Sequence, residues 1–210
     1  MYRRRLKHSR VKNLYKFSSP KMDRVLTVES SLEFDACFHF EYTPDISSYE
    51  AQPEGFYYSH GEKSLPYTPD FLVLDKAKGS FFVEVKPYAE LGKEKFREKF
   101  ICRRRSALEL GLPLLLVTEK QIRSTPLLEN LKLLHRYAGI KEITPLHQSV
   151  LDVVRHGGKM SVRELSSEAG GSGRAVLVSV IAWLALGEIS CDLSAGELGI
   201  DSIVWWQHEK

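Results

Sequence analysis

The chain has 210 residues, 43% hydrophobic and 27% charged, with a net charge of +3. That suffices for one ordinary core and a small second one, and no run approaches the about eighteen apolar residues of a bilayer-spanning helix. Cys37, Cys102 and Cys191 lack CxxC spacing, so they read as packed thiols, and the basic start MYRRRLKHSRVKNLYKF lacks the apolar segment of a secretory leader; a cytoplasmic, non-membrane protein is expected.

The charge is unevenly spread. Residues 1–24 hold nine Lys or Arg against one acid, Asp23, a local +8 that leaves −5 on the rest. Arg3, Arg4, Arg5, Lys7, Arg10 and Lys12, interleaved with aromatic Tyr2, Tyr15 and Phe17, suit a nucleic-acid phosphate backbone, because cations displace condensed counterions and rings stack on bases. A solvated, frayed terminus accounts for the same charge.

Next in chain order, residues 29–42, ESSLEFDACFHFEY, predict a helix, opened by Ser30 and Glu33 at capping-box spacing and ended by TPD. Aromatic strand-like pieces split by Gly and Pro run to FLVLD, and GSFFVEVKP follows the turn DKAKG as a further strand. Residues 92–110 have helical spacing of Phe96, Phe100, Ala107 and Leu110, with Gly111 as a C-terminal cap. Its cations Lys93, Lys95, Arg97, Lys99, Arg103, Arg104 and Arg105 either track phosphates or line a solvated face. A buried strand, PLLLVTE, and an amphipathic helix, PLLENLKLLHRYAG, complete an order that implies a mixed sheet flanked by helices.

Beyond residues 140–145, three short helices separated by glycines lead into a terminal hairpin, the winged-helix order. Its third helix carries Val, Ile, Leu, Ala and Trp183 with Arg174 as its only cation, which favours protein docking over base reading.

Asp70 stands at the head of DFLVL, and Glu84 and Lys86 share one side of the next strand, because strand side chains alternate. If the strands pair as a hairpin, Asp70 meets Glu84 at one edge, where two carboxylates repel unless a proton or cation lies between them. Hard oxygen ligands of this kind suit Mg²⁺ or Mn²⁺, and a nearby lysine can orient a water for phosphodiester hydrolysis. Alternating acid and lysine on a solvated face is the plain alternative, against which the apolar flanks FFVEV and DFLVL speak.

The hairpin, written Pro69-Asp70 … Glu84-Val85-Lys86, resembles the PD-(D/E)XK nuclease core. With SLEFDACFHFEYTPDISSYEAQP before YTPDFLV and FFVEVKP, the chain resembles, over residues 27–137, the TnsA-type endonuclease subunit of heteromeric cut-and-paste transposases. The resemblance implies an α/β, restriction-endonuclease-like mixed central sheet flanked by helices over residues 27–140, after a basic arm over 1–26 and before a winged-helix-like docking domain over 141–210. It implies Asp70 as metal-bridging acid, Glu84 as second ligand, the Val85 carbonyl as a third, Lys86 as the residue that aids the attacking water, and Glu33 as helix-borne acid with Glu29 as the alternative. Gln52 matches a recurrent Gln to which no role is assigned. Implied too are a Mg²⁺ or Mn²⁺ cofactor, transposon-end DNA, a TnsB-type DDE transposase, a TnsC-type AAA+ ATPase and a bacterial cytoplasm. A stand-alone restriction- or resolvase-like nuclease and a catalytically silent DNA-binding adaptor are the rival readings.

Overall fold

Alternating apolar residues in YKFSS and RVLTV build an antiparallel hairpin of β1 (Tyr15–Ser19) and β2 (Arg24–Val28), with Phe17 opposite Leu26. The computed structural model describes residues 13–140 and 142–207, so Arg3, Arg4, Arg5, Lys7, Arg10 and Lys12 of the expected phosphate-binding tail lie outside it. From Tyr15 onward the arm expected over residues 1–26 is a strand pair. Charge dominates its composition, but Phe17, Leu26 and Val28 alternate into burial and decide its conformation.

Helix α1 (Ser31–Tyr42) begins at the expected cap: the Ser30 hydroxyl accepts from the Glu33 N–H at 3.1 Å. Phe34 and Phe38 close on Phe17 with ring centroids 5.7 and 5.0 Å away, which ties the hairpin to the helix. At the other end Lys21 Nζ donates to the carbonyls of Phe40 and Thr43 at 2.8 and 3.0 Å, groups a helix end leaves open, and to that of Ile46 beyond the helix at 2.9 Å.

Then come β3 (Ile46–Ala51), a hairpin of β4 (Phe56–His60) and β5 (Lys63–Tyr67), β6 (Phe71–Asp75), β7 (Gly79–Val85), a 3-10 turn at Tyr88–Glu90, α2 (Glu94–Glu109), β8 (Leu114–Val117) and the short α3 (Glu119–Ile122). Strands β3, β6, β7 and β8 form one sheet in that order, antiparallel except for the parallel β7–β8 pair. This is a mixed α/β sheet flanked by helices, the restriction-endonuclease-like arrangement. The β6–β7 turn follows from its own residues: Asp75 Oδ1 accepts from the N–H groups of Ala77 and Lys78, both at 2.9 Å, and Gly79 takes φ +75°. One sheet face carries Phe71, Val73, Val83 and Val85; Phe40 of α1 meets Phe71 there at 5.0 Å. On the other, Phe82 joins Phe56, Tyr58, Tyr67, Ala107 and Leu114 in a cluster that seats α2 and the β4–β5 hairpin.

The chain divides into two compact units between Arg123 and Ser124, earlier than the expected 140/141 boundary. Helix α4 (Leu127–Tyr137), expected within the sheet domain, belongs to the second unit. The reason lies in Asn130, whose Nδ2 donates to Leu193 and Gly196 carbonyls at 2.8 and 2.7 Å while Oδ1 accepts from the Leu198 N–H at 3.0 Å. With it stand α5 (Pro145–Gly157), β9 (Met160–Ser161), α6 (Val162–Ala169), α7 (Gly173–Leu186), β10 (Ile189–Cys191) and β11 (Ile203–Trp206), the strands forming an antiparallel sheet in the order β10-β11-β9. Val176, Val180, Ile181, Trp183 and Leu184 of α7 are buried. Among the described residues no single helix is long and apolar enough to cross a membrane.

Candidate active site

Two ordinary features of the hairpin bring the acids together. The register pairs Phe71 with Val83, so Asp70, just before β6, falls opposite Glu84. Alternation then turns Phe82 and Glu84 to the side of the sheet covered by α2, away from Val83 and Val85. Glu84 is 2% exposed and Asp70 9%. Lys86, the next residue of that parity, reaches back over both: its Nζ lies 3.1 Å from Glu84 Oε1 and 4.0 Å from Asp70 Oδ2.

Each carboxylate is fixed by a donor besides Lys86. Asp70 Oδ2 accepts from the Val85 N–H at 2.8 Å, and Glu84 Oε2 accepts from the Tyr67 hydroxyl at 2.5 Å. Burial pushes the Asp70 carboxyl well above the usual carboxylate range; Glu84 and Glu33 add to the rise, while Lys86 and the Val85 N–H oppose it. Burial pulls the Lys86 ammonium down, but Asp70, Glu84 and Glu33 outweigh it and hold the group above its ordinary value. Burial, then Glu84, keeps the Tyr67 hydroxyl protonated far beyond its normal range.

Glu33 takes part from α1 in two ways. Its Oε1 accepts from Ser30 Oγ at 2.7 Å and its Oε2 from the Glu29 N–H at 3.0 Å, which is helix capping. Its charge also acts on both Asp70 and Lys86. Of the two alternative helix acids, Glu33 is the buried one, and Glu29 meets it through its backbone. Gln52 links these groups: its N–H donates to the Asp70 carbonyl at 2.8 Å, its Nε2 lies 3.5 Å from Glu33 Oε2, and its Oε1 is buried without a partner. Gln52 adopts φ +50°, so the chain turns sharply where it delivers this side chain.

The cations of α2 divide. Lys93, Lys95, Arg97, Arg104 and Arg105 are exposed, Lys99 is half-buried, and Leu110, expected on the apolar stripe, is 46% exposed. Arg103 turns inward instead: its NH1 lies 3.6 Å from Glu84 Oε1, and its guanidinium carbon sits 4.3 Å from the Tyr67 ring centre and 5.4 Å from that of Tyr58. The inward place of Arg103 and the part of Tyr67 were missed from the sequence. A signal for the first was present, since residue 103 falls in the helical series 96, 100, 103, 107 that otherwise carries Phe, Phe and Ala.

The donor set fits a hard divalent cation. Asp70 and Glu84 offer carboxylate oxygens, hard ligands of the kind such a cation takes, and Val85 lies between Glu84 and Lys86 in the chain. Among the described residues no group of three or more His, Cys, Asp or Glu is arranged to hold a metal; Asp70 and Glu84 are the acids that meet under Lys86, with Glu33 capping α1. Two carboxylates completed by carbonyl, water and substrate phosphate match the habit of Mg²⁺.

No curated protein matches the chain. Residues 43–119 match the family model described as TnsA-like endonuclease N terminal, a span that holds β3 through β8 and, within it, Asp70, Glu84, Lys86 and Arg103. Residues 43–119, which build this sheet, are a TnsA-like endonuclease segment of the PD-(D/E)XK type.

Proposed function

We propose that the chain is a Mg²⁺- or Mn²⁺-dependent DNA endonuclease that cuts the 5′, non-transferred strands at transposon ends. A TnsB-type DDE transposase cuts and joins the 3′ ends in the same assembly, a TnsC-type AAA+ ATPase links both to target DNA, and the setting is the bacterial cytoplasm. The observation that carries this reading is the meeting of buried Asp70 and Glu84 under Lys86 within a TnsA-like endonuclease domain.

In this reading Asp70, Glu84 and the Val85 carbonyl hold the cation, and Glu33 closes the set from the helix side. A divalent cation held there would supply charge neutralisation at the scissile phosphate and a more acidic water. Lys86, kept charged by the surrounding acids, orients that water and offsets negative charge as it develops. Tyr67 holds Glu84 in one orientation through its hydroxyl. The order of α5, α6 and α7 with the three-stranded sheet is winged-helix-like, and a docking role suits it: α7 spends its apolar side chains on the core and has Arg174 as its one cation. Placement by partners leaves the nuclease needing phosphate grip and catalysis with little base recognition.

The test is excision from a donor plasmid reconstituted with the transposase, the ATPase and Mg²⁺, mapping the two strands separately for wild type and Asp70→Ala. Loss of 5′ cutting with persistent 3′ joining is expected. Retained 5′ cutting in the variant would make the acid pair structural and favour an adaptor, and cutting without any partner would favour a stand-alone nuclease.

A further inference from the structure

Arg103 has a position but, among the described residues, no close acceptor. Its side chain is 19% exposed, and its guanidinium lies in the corner made by Tyr58 and Tyr67, whose rings stand at 87°. Packing against aromatic rings occupies the faces of a guanidinium and leaves its five in-plane N–H donors to be satisfied. Among the described residues Nε is buried without a hydrogen-bond partner, and NH1 lies 3.6 Å from Glu84 Oε1, beyond a good hydrogen bond. Glu84 is not a natural terminus for this fork, because Lys86 at 3.1 Å and Tyr67 at 2.5 Å already serve its two oxygens. A largely buried, permanently charged group with open donors calls for an anion, and a planar fork suits the paired oxygens of a phosphate.

We infer that Arg103 is a substrate ligand of the catalytic centre: its guanidinium, seated against Tyr58 and Tyr67, binds non-bridging oxygens of the phosphodiester being cut, on the Glu84 side of the acid pair. The inference rests on the nuclease reading and names a phosphate contact beyond the acids and Lys86. The exposed cations of α2 are separate from it, since only a residue of the inward stripe reaches the acids. The arginine makes and breaks no covalent bond; it grips the phosphate and stabilises charge as the bond to the leaving oxygen lengthens.

The experiment compares wild type, Asp70→Ala, Arg103→Ala and Arg103→Lys in the reconstituted excision reaction, read as single-turnover 5′-strand cutting over a Mg²⁺ series. In parallel, binding of the purified chain to a short end duplex in Ca²⁺ is followed by anisotropy across salt. Arg103→Ala is expected to slow cutting by about 10²- to 10³-fold, the usual cost of one preorganised donor. Its salt slope should become shallower by about one phosphate contact, while Arg103→Lys restores the slope but cuts at least about tenfold slower than wild type, for want of the fork. Cutting by Arg103→Ala within about threefold of wild type with an unchanged slope overturns the inference. So does a rate defect that disappears at high Mg²⁺, which would place the arginine's action on Glu84. Should Arg103→Ala fail to fold in a thermal melt, wild-type cutting by Arg103→Lys overturns it equally. If Asp70→Ala cuts normally, the nuclease reading itself falls; if that variant is dead while Arg103→Ala is fully active, only the phosphate contact falls.

Discussion

At Asp70 the chain holds a carboxyl that burial, then Glu84 and Glu33, drive toward its protonated form. A pKa raised above the unfolded value means that folding takes up a proton, so this group favours the folded state at low pH. That contribution is lost as pH rises through the raised value. Without divalent ions the protein is therefore expected to lose stability as pH rises above the ordinary carboxylate range. Asp70→Asn should flatten the slope and raise Tm at neutral pH while abolishing 5′ cutting, a gain in stability bought with activity. Thermal melts in EDTA from about pH 4 to about pH 8 check this, and a variant no more stable than wild type at neutral pH counts against it. Adding Mg²⁺ should then stabilise wild type more than the variant, because one of the two carboxylates, that of Asp70, is gone.

Helix α1 shows how an element delivers a site residue. Its start was legible from Ser30 and Glu33 alone, because capping is a contact between residues three apart. Its end at Tyr42 was legible too, from the breaker TPD, but the partner of its end was not, because Lys21 precedes the helix and reaches the Phe40 and Thr43 carbonyls through the turn of the β1–β2 hairpin. Lys21 also anchors that turn, donating its backbone N–H to Glu41 Oε1 at 2.7 Å, and Glu41 in turn receives the hydroxyls of Ser19 and Tyr49 at 2.5 and 2.6 Å. Lys21→Met is expected to cost about 2 to 3 kcal/mol, since three carbonyls lose a charged donor at once. Urea titration measures the loss, and cutting at a temperature where the variant stays folded should be unchanged. A cost near zero would mean that water replaces the ammonium at this helix end.

For the molecule as a whole, the boundary between units decides what can fold alone. Leu128, Leu131 and Leu134 of α4 are buried, and Asn130 satisfies three backbone groups of the segment between β10 and β11. A fragment of residues 124–210 should therefore unfold cooperatively in a circular-dichroism melt. One of residues 141–210 should not, having lost that apolar face and those acceptors. Equal melts would show that α4 is dispensable. In the full chain, Asn130→Ala should destabilise the second unit and leave Asp70 and Glu84 untouched.

The sequence by itself determined most of the elements after residue 28 and the acid pair. Ser30 and Glu33, the Asp75-to-Gly79 turn and the alternation of FFVEV are contacts between near neighbours, and a short hairpin leaves little freedom in its register, so Asp70 had to face Glu84. Lys86 followed from parity alone. Tertiary structure decided everything that joins distant segments. Composition makes α2 a row of cations, and only its packing on the sheet separates Arg103 from the exposed remainder; Tyr67 reaches Glu84 because the β4–β5 hairpin folds onto the same cluster. The charge of residues 1–24 concealed a hairpin, and the amphipathic pattern of α4 was silent about which core it joins, because a stripe says that a face is buried and not against what.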